Sequence, residues 1–284
     1  MEDFILFKNK ENMEQFNTWK EQVEDIEIKE DIDCLRIIEL NLSNICNLRC
    51  PFCPQSKGWK NNNTDFMSIE TAQLISDQLK SFNFQGYICT AGFGEPSLNP
   101  KWKEILRLFS NFKMVVVSNG QAPQEDWEEL TKIAQIKVSV HDWNNIDKYR
   151  DKFKNTNAWF RNHDIVNPKM NIYNRGGLLW EPTERTTRIC NLPFYKIFID
   201  SDGSYLSCEA DWNRKSASEG YNIRNIPIRT YFTDTLKARR SLMLSEQGRQ
   251  NLAACQYCDI QGDLTGTKFK EYWEGKMKGI SEDE

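Results

Sequence analysis

Long apolar runs are missing from this chain. No stretch of its 284 residues approaches the ~20 apolar side chains needed to cross a bilayer. The opening residues, MEDFILFKNKENMEQF, are too charged and too poor in apolar positions for a secretory signal. The expectation is a cytoplasmic protein with no membrane partner. A basic excess is missing too. Against 41 Asp and Glu stand 37 Lys and Arg, a formal net charge of −4. A general nucleic-acid binder needs a basic face to neutralise phosphates, so none is expected as a partner. Internal repeats and low-complexity linkers are absent. What is present is 39% hydrophobic and 12% aromatic residues, enough for a globular core in one large domain or a medium domain plus a small one.

Cysteine is abundant, at nine residues. In a reducing compartment disulfides are rare, so clustered cysteines read as metal ligands or catalytic thiols. Seven fall into two sets: Cys46, Cys50 and Cys53, then Cys190, Cys208, Cys255 and Cys258. Cys34 and Cys89 remain. The odd total suits three thiolates on one cluster and four on another.

Along the chain, residues 1–33 are acidic and amphipathic, with Phe16, Trp19 and Val23 at helical spacing. They predict a helical extension. Leu35 to Leu40 reads as a short strand running into the first cysteine set. Ser68 is a plausible cap for a helix to about Phe82. Tyr87–Thr90 is a strand ending in AGFGEP. Pro100 opens a helix to about Phe109, Met114–Val117 is a strand ending in Ser-Asn-Gly, residues 124–134 are helical, and Ile136–Val140 is a further strand. A charged helix and an Asn-rich segment then precede a strand expected at Met170–Tyr173. This strand–helix alternation with short connections predicts a parallel α/β fold. It stops near residue 178, which predicts three regions: 1–33, 34–177 and 178–284.

Cys46-x3-Cys50-x2-Cys53 lies in the loop after the first strand. Three thiolates in one loop can hold three corners of a cubane and leave the fourth iron without a protein ligand. An amino acid's amine and carboxylate can chelate that iron. A zinc site would need a fourth ligand, and neither histidine is near in sequence. Cys50-Pro51-Phe52-Cys53 alone could be a redox pair, but that motif has no use for Cys46.

This arrangement resembles the radical S-adenosylmethionine (SAM) superfamily, which shares a Cys-x3-Cys-x2-Cys loop after the first strand of a partial (β/α) barrel. Gly94 and Glu95 in GFGEP resemble the family's Gly-Gly-Glu-Pro motif, with Phe93 where the consensus has Gly. Phe52 resembles the hydrophobic residue whose backbone meets the adenine. Ser118, Asn119 and Ser139 stand where the family contacts the methionyl and ribose groups. The order of these positions at strand C-termini suits a parallel α/β ligand site.

Cys190 precedes Tyr195–Ile199, an Asp-Gly turn, and Ser204–Cys208, a hairpin that folds Cys208 back toward Cys190. A helix over about 235–252 then delivers Cys255-x2-Cys258. Four thiolates so placed could complete a cluster shell or a purely structural zinc site. The pattern resembles the SPASM/twitch extension of radical SAM enzymes. The cysteine number fits the shorter twitch form, with one auxiliary cluster. Asn174-Arg175-Gly176-Gly177 resembles a segment common in these enzymes. The short span before it suggests a truncated barrel, as in a small radical SAM dehydrogenase that oxidises a cyclitol alcohol.

The resemblance implies SAM and two 4Fe–4S clusters as cofactors, with flavodoxin or ferredoxin as electron donor. The implied reaction removes a hydrogen atom from a hydroxyl-bearing carbon of a small sugar- or cyclitol-like substrate. His141 is a candidate base and Arg175 a candidate substrate clamp. Within the enzymes, an epimerase using Cys89 as hydrogen donor and a peptide-modifying enzyme are the alternatives. Outside them, a non-catalytic zinc-binding α/β protein remains.

Overall fold

The structure is a computed structural model. It describes residues 5–6, 32–59, 65–166, 173–180, 184–186, 190, 192–245 and 247–260.

Strands β1 (Ile5–Leu6), β2 (Ile37–Leu40), β3 (Tyr87–Thr90), β4 (Lys113–Ser118), β5 (Gln135–Val140), β6 (Trp159–Asn162), β7 (Lys196–Ile199) and β8 (Tyr205–Leu206) form one sheet in the order β1-β6-β5-β4-β3-β2-β7-β8. From β6 through β7 every neighbouring pair is parallel. The outermost strands, β1 and β8, run antiparallel to β6 and β7. Helices α1 (Ile69–Ser81), α2 (Trp102–Leu108), α3 (Gln124–Leu130) and α4 (Ile146–Lys152) connect β2 to β6. Ser68 caps α1 as the sequence predicts, accepting a hydrogen bond from the Thr71 backbone N–H. Such a cap is worth ~1 kcal/mol.

Side chains alternate across a strand, and here the two faces have different chemistry. One face supplies Ile38, Leu40, Ile88, Val116, Ile136 and Ile197 to the main core. Ile75 and Leu79 of α1, Ile105 of α2 and Trp127 of α3 cover it. The other face carries Glu39, Cys89, Lys137, Ser139, Arg161 and Lys196 around a cavity. Fully buried parallel strands ordinarily read as continuous apolar runs. The single charges inside Ile37-Ile38-Glu39-Leu40 and Ile136-Lys137-Val138 mark the face turned to that cavity.

Two findings differ from the sequence expectation, and a third expectation falls largely outside the described residues. The fifth strand of the alternation is Trp159–Asn162. Its Arg161 and Asn162 hide it from a hydrophobicity pattern. The strand expected at Met170–Tyr173 falls largely outside the described residues, and Tyr173 is irregular. At the amino end, Ile5–Leu6 is a strand on the β6 edge, where it satisfies otherwise unpaired backbone groups. The rest of the expected helix, including Phe16, Trp19 and Val23, lies outside the described residues.

The hairpin expected after Cys190 is present as β7 and β8. β7 also pairs parallel with β2, register Glu39 opposite Phe198. A short helix α5 (Ile228–Thr230), a π turn (Tyr231–Thr235) and α6 (Leu236–Leu244) follow, then a 3-10 turn at Gly248–Asn251. No helix among the described residues is long and apolar enough to cross a membrane.

Trp127 is fully buried, edge-on to Trp102 at 5.2 Å and tilted on Phe153 at 5.5 Å. Trp127→Ala is expected to cost about 3–5 kcal/mol. Urea denaturation should show a lower midpoint with an unchanged slope.

Candidate functional site

One cavity of about 470 Å³ opens over the polar face of the sheet, within the range of about 300–1,000 Å³ usual for small-molecule sites. Cys46, Cys50, Phe52, Cys53, Cys89, Gly94, Glu95, Ser118, Asn119, Ser139, His141 and Arg175 all line it. The structure thus brings the first cysteine set, the strand-end residues and the three candidate catalytic residues to one space. Cys190, Cys208, Cys255 and Cys258 do not line it, but Leu192, Glu209 and Ile260, one or two residues beyond three of them, do.

The first cysteine loop is held from several sides. The Gln55 amide donates to the backbone oxygens of Phe93 and Asn44 at 2.6 and 3.0 Å. Asn119 donates to Asn47 at 2.8 Å. The Glu95 backbone N–H donates to the Ile45 oxygen at 2.8 Å. That contact explains Gly94, because a Cβ there would lie 2.4 Å from the backbone oxygens of both Ile45 and Ser43. The Cys46 sulfur accepts the Leu48 N–H at 3.4 Å, and the backbone of Gln55 and Ser56 favours the thiolate form of Cys53. Burial pushes all three thiols up, Cys50 to about 11, and negative charge on Cys46 and Cys53 raises Cys50 further. Converging sulfurs that accept N–H groups suit a cluster whose binding releases the thiol protons. This donor set fits the cubane implied by the spacing.

Glu95 is buried, and its carboxylate braces two strand ends. Oε1 accepts from the hydroxyls of Ser118 and Ser97, both at 2.7 Å, and Oε2 accepts from the Asn119 N–H at 2.8 Å. Phe93, the departure from the family's glycine, fills a second core. Its ring lies 4.7 Å from Trp212 and 5.2 Å from Phe198, and Trp59 packs on both Phe93 and Trp212. It joins the turn after β3 to the hairpin region. Asn41 joins the same parts by hydrogen bonds, donating to Asn44 and Asp200 at 2.7 Å and accepting from the Phe93 N–H at 3.2 Å.

Phe52 is wedged beside both histidines, 5.9 Å from His141 and 4.9 Å from His163. These follow the adjacent strands β5 and β6, and their rings are 5.1 Å apart. Burial lowers both, His141 to about 4 and His163 to about 2, with the Arg161 charge adding to the effect. Both are therefore neutral imidazoles at neutral pH. His141 Nδ1 lies 3.4 Å from the Cys50 sulfur.

Deeper in the cavity Lys196 forms ion pairs with Glu39 and with Glu209, the latter at 2.8 Å. One ammonium cannot fully compensate two buried carboxylates. Glu209 is held low by Lys196 against its burial, whereas burial pushes Glu39 up to about 7 despite Lys196, and Glu209 pushes it the same way. Cys89 is beside this group. Burial first, then Glu39, pushes its thiol up to about 12, so it stays protonated. Sequence reasoning missed Glu39, Lys137, Arg161, His163, Lys196 and Glu209. Lone charges at alternate positions of short apolar strands were the available signal.

The second cysteine set converges behind the cavity wall. Cys190, Cys255 and Cys258 share one buried cluster with Cys208 packed against it. Burial raises all four; Cys190 reaches about 11 and Cys255 about 12, and the thiols raise one another. Cys208 accepts the Ala210 N–H at 3.4 Å, while the backbone of Leu192 favours the thiolate form of Cys190 and that of Ile260 and Gly176 the thiolate form of Cys258. The charges of Arg239 and Arg249 act on Cys255 and on Cys190 and Cys258. N–H groups and cations around four thiols favour a thiolate-bound metal group. Among the described residues no three His, Cys, Asp or Glu side chains are spaced to hold a single metal ion.

Asn174 anchors its segment to the loop of the second cysteine set. Its N–H donates to Asp259 at 2.9 Å and its side chain to the Tyr257 oxygen at 2.6 Å. Arg175 lines the cavity, and Gly176 meets the Ala210 oxygen so closely that a Cβ would lie 3.0 Å away.

Comparison with known proteins agrees with this geometry. Residues 40–171 match the family model of the Radical SAM superfamily. The fold resembles BtrN in complex with AdoMet and 2-DOIA, with a TM-score of 0.65 and 22% identity over 80% of this chain and 95% of that one. BtrN in an open conformation gives 0.59 and 20%, over 80% and 94%. Native anSMEcpe with bound AdoMet gives 0.51 and 12%, over 88% and 99%. No curated protein sequence matches the chain.

Gly94→Ala should displace the loop after β2. The expected outcome is a folded protein by circular dichroism whose SAM affinity drops at least about tenfold, or ~1.4 kcal/mol, in an anaerobic equilibrium binding assay.

Proposed function

We propose that this chain oxidises a hydroxyl-bearing carbon of a small sugar- or cyclitol-like molecule, with Cys46, Cys50 and Cys53 holding the SAM-binding cluster and Cys190, Cys208, Cys255 and Cys258 an auxiliary one. The observation that carries this reading is a cavity lined both by the first cysteine set and by Leu192, Glu209 and Ile260, close in sequence to the buried second set. When bound, these groups would supply a 5′-deoxyadenosyl radical that takes a hydrogen atom and an acceptor for the second electron. A flavodoxin or ferredoxin would be the electron donor. The likeness to BtrN, solved with 2-DOIA, supports a cyclitol-like substrate. So does the similarity of cysteine spacing to 2-deoxy-scyllo-inosamine dehydrogenase.

The chain's own residues divide the remaining work. Gly94, Ser118, Asn119, Ser139 and the Phe52 backbone form the SAM-facing wall, and Glu95 holds Ser118 and Asn119 in place. The hydroxyl proton needs a base inside the cavity. Glu39 takes this role in preference to His141, since His141 lies against Cys50 and is pushed down to about 4. A carboxyl near 7 is matched to proton transfer at neutral pH, and Lys196 holds it in place. A base acts only when deprotonated, so the rate is expected to rise as pH passes upward through about 7. Glu39→Gln should remove that limb and lower kcat by about 10²–10⁴-fold, as read from product formation across pH 5.5–8.5.

A second reading rests on Cys89, whose protonated thiol faces the cavity and could return a hydrogen atom in an epimerisation. Mass spectrometry of products formed in heavy water separates the two. Oxidation predicts loss of two hydrogens and no solvent deuterium at the reacting carbon. A redox-neutral product one mass unit heavier from a single deuterium, abolished in Cys89→Ala, would overturn the dehydrogenase reading.

A further inference from the structure

Buried cations stand beside the second cysteine set. Arg249 lies in the 3-10 turn Gly248–Asn251, ahead of Cys255, and is only 1% exposed. Its Nη1 donates to the Ile260 oxygen at 2.5 Å, two residues beyond Cys258. Arg239, on α6, is 8% exposed, and its Nη2 donates to both carboxylate oxygens of Glu219 at 3.0 Å. The two guanidiniums approach the thiols from different elements. The charge of Arg249 favours the thiolate forms of Cys190 and Cys258, and that of Arg239 the thiolate form of Cys255.

The carboxylates whose charge reaches the same thiols are held by other groups. Glu209 pairs with Lys196, Asp259 accepts the Asn174 N–H, and Asp211 accepts the N–H groups of Lys215 and Ser216. Burying a guanidinium is costly unless negative charge compensates it, and a hydrogen bond to the Ile260 carbonyl does not by itself call for a cation. Four thiolates around a cubane supply that negative charge. Such a group is net negative and becomes more so when it is reduced. Cations held close to it therefore favour the reduced form, since local charge is one of the levers a protein has over a cluster's reduction potential.

We infer that Arg249 and Arg239 raise the reduction potential of the auxiliary cluster, so that it accepts the electron left on the substrate radical once the hydroxyl proton has passed to Glu39. That transfer leaves the carbon as a carbonyl and the cluster reduced by one electron. Arg249 carries the larger share, because Glu219 partly neutralises Arg239. Neither guanidinium touches substrate; both act through charge on the cluster. This rests on the two-cluster oxidation proposed above and names the residues that suit its second cluster to be an acceptor.

The test is an anaerobic redox titration of the SAM-loaded holoenzyme followed by electron paramagnetic resonance. SAM changes the signal of the first cluster and so identifies the auxiliary one. In Arg249→Met the reduced-to-oxidised ratio of the auxiliary cluster at a fixed potential should fall about tenfold or more, a midpoint lower by ~59 mV. Arg249→Lys should retain most of the native value, and Arg239→Met should lower it by less than Arg249→Met does. Glu219→Gln, which removes a half-exposed carboxylate, should raise it. The first cluster's midpoint should hold in every variant. A guanidinium that only staples the chain would instead cost iron content or thermal stability and leave the surviving cluster's midpoint in place. An unmoved midpoint in Arg249→Met overturns the inference, as does a drop in Arg249→Lys equal to that in Arg249→Met. Where Arg249→Met does not load its cluster, an unmoved or lowered midpoint in Glu219→Gln overturns it just as well. Iron quantification on the unmodified enzyme keeps the two readings apart. About eight irons with unmoved midpoints sinks this inference alone, whereas about four sinks the two-cluster oxidation and this inference with it.

Discussion

Charge inside a protein is tolerated only where it is paired, hydrogen-bonded or placed to meet a ligand, and this sheet carries Glu39, Lys137, Arg161 and Lys196 on one face. The pleat makes that arrangement feasible. Each charged position alternates with an apolar one, so Ile38, Ile136, Val138, Phe160 and Ile197 turn the other way into the helix-covered core. The fold is stabilised on one side by ordinary burial, which leaves the other side free to be polar. Lys196 then gathers two carboxylates from different strands and loops.

The loops that carry the cysteines are tied to the sheet and to one another. Asn41, at the exit of β2, reaches the cysteine loop through Asn44, the Gly-rich turn through Phe93 and the hairpin through Asp200. Asn174 does the same for the second set through Asp259 and Tyr257. β7 is itself a neighbour of β2, so the segment bearing Cys190 and Cys208 shares the sheet with the first site. This common framework fixes both cysteine sets relative to one cavity.

Much of this was legible in the sequence, because the informative signals were local. Cysteine spacing, the Ser68 cap, the Asp-Gly turn and the strand-end motifs each occupy a few consecutive residues. What escaped depended on distant pairing or on side chains whose meaning is set by the face they occupy. Nothing near Lys196 announces that its strand lies beside Glu39, 157 positions earlier in the chain. β6, with Arg161 and Asn162, looks like a loop until β5 is placed next to it. Phe93 read as a departure from a motif, and only its contacts with Phe198 and Trp212 give it a structural reason. Glu95 was expected to face a ligand, and its carboxylate also secures the ends of β3 and β4.

The central claim is that the chain carries two cubane-binding cysteine sets. Anaerobic quantification of iron and acid-labile sulfide tests it most directly, on the native chain and on the Cys46/Cys50/Cys53→Ala variant. The account predicts about eight irons and eight sulfides natively and about four of each in the variant. About four irons natively and almost none in the variant would contradict it, leaving Cys190, Cys208, Cys255 and Cys258 without a cluster and the oxidation without its electron acceptor.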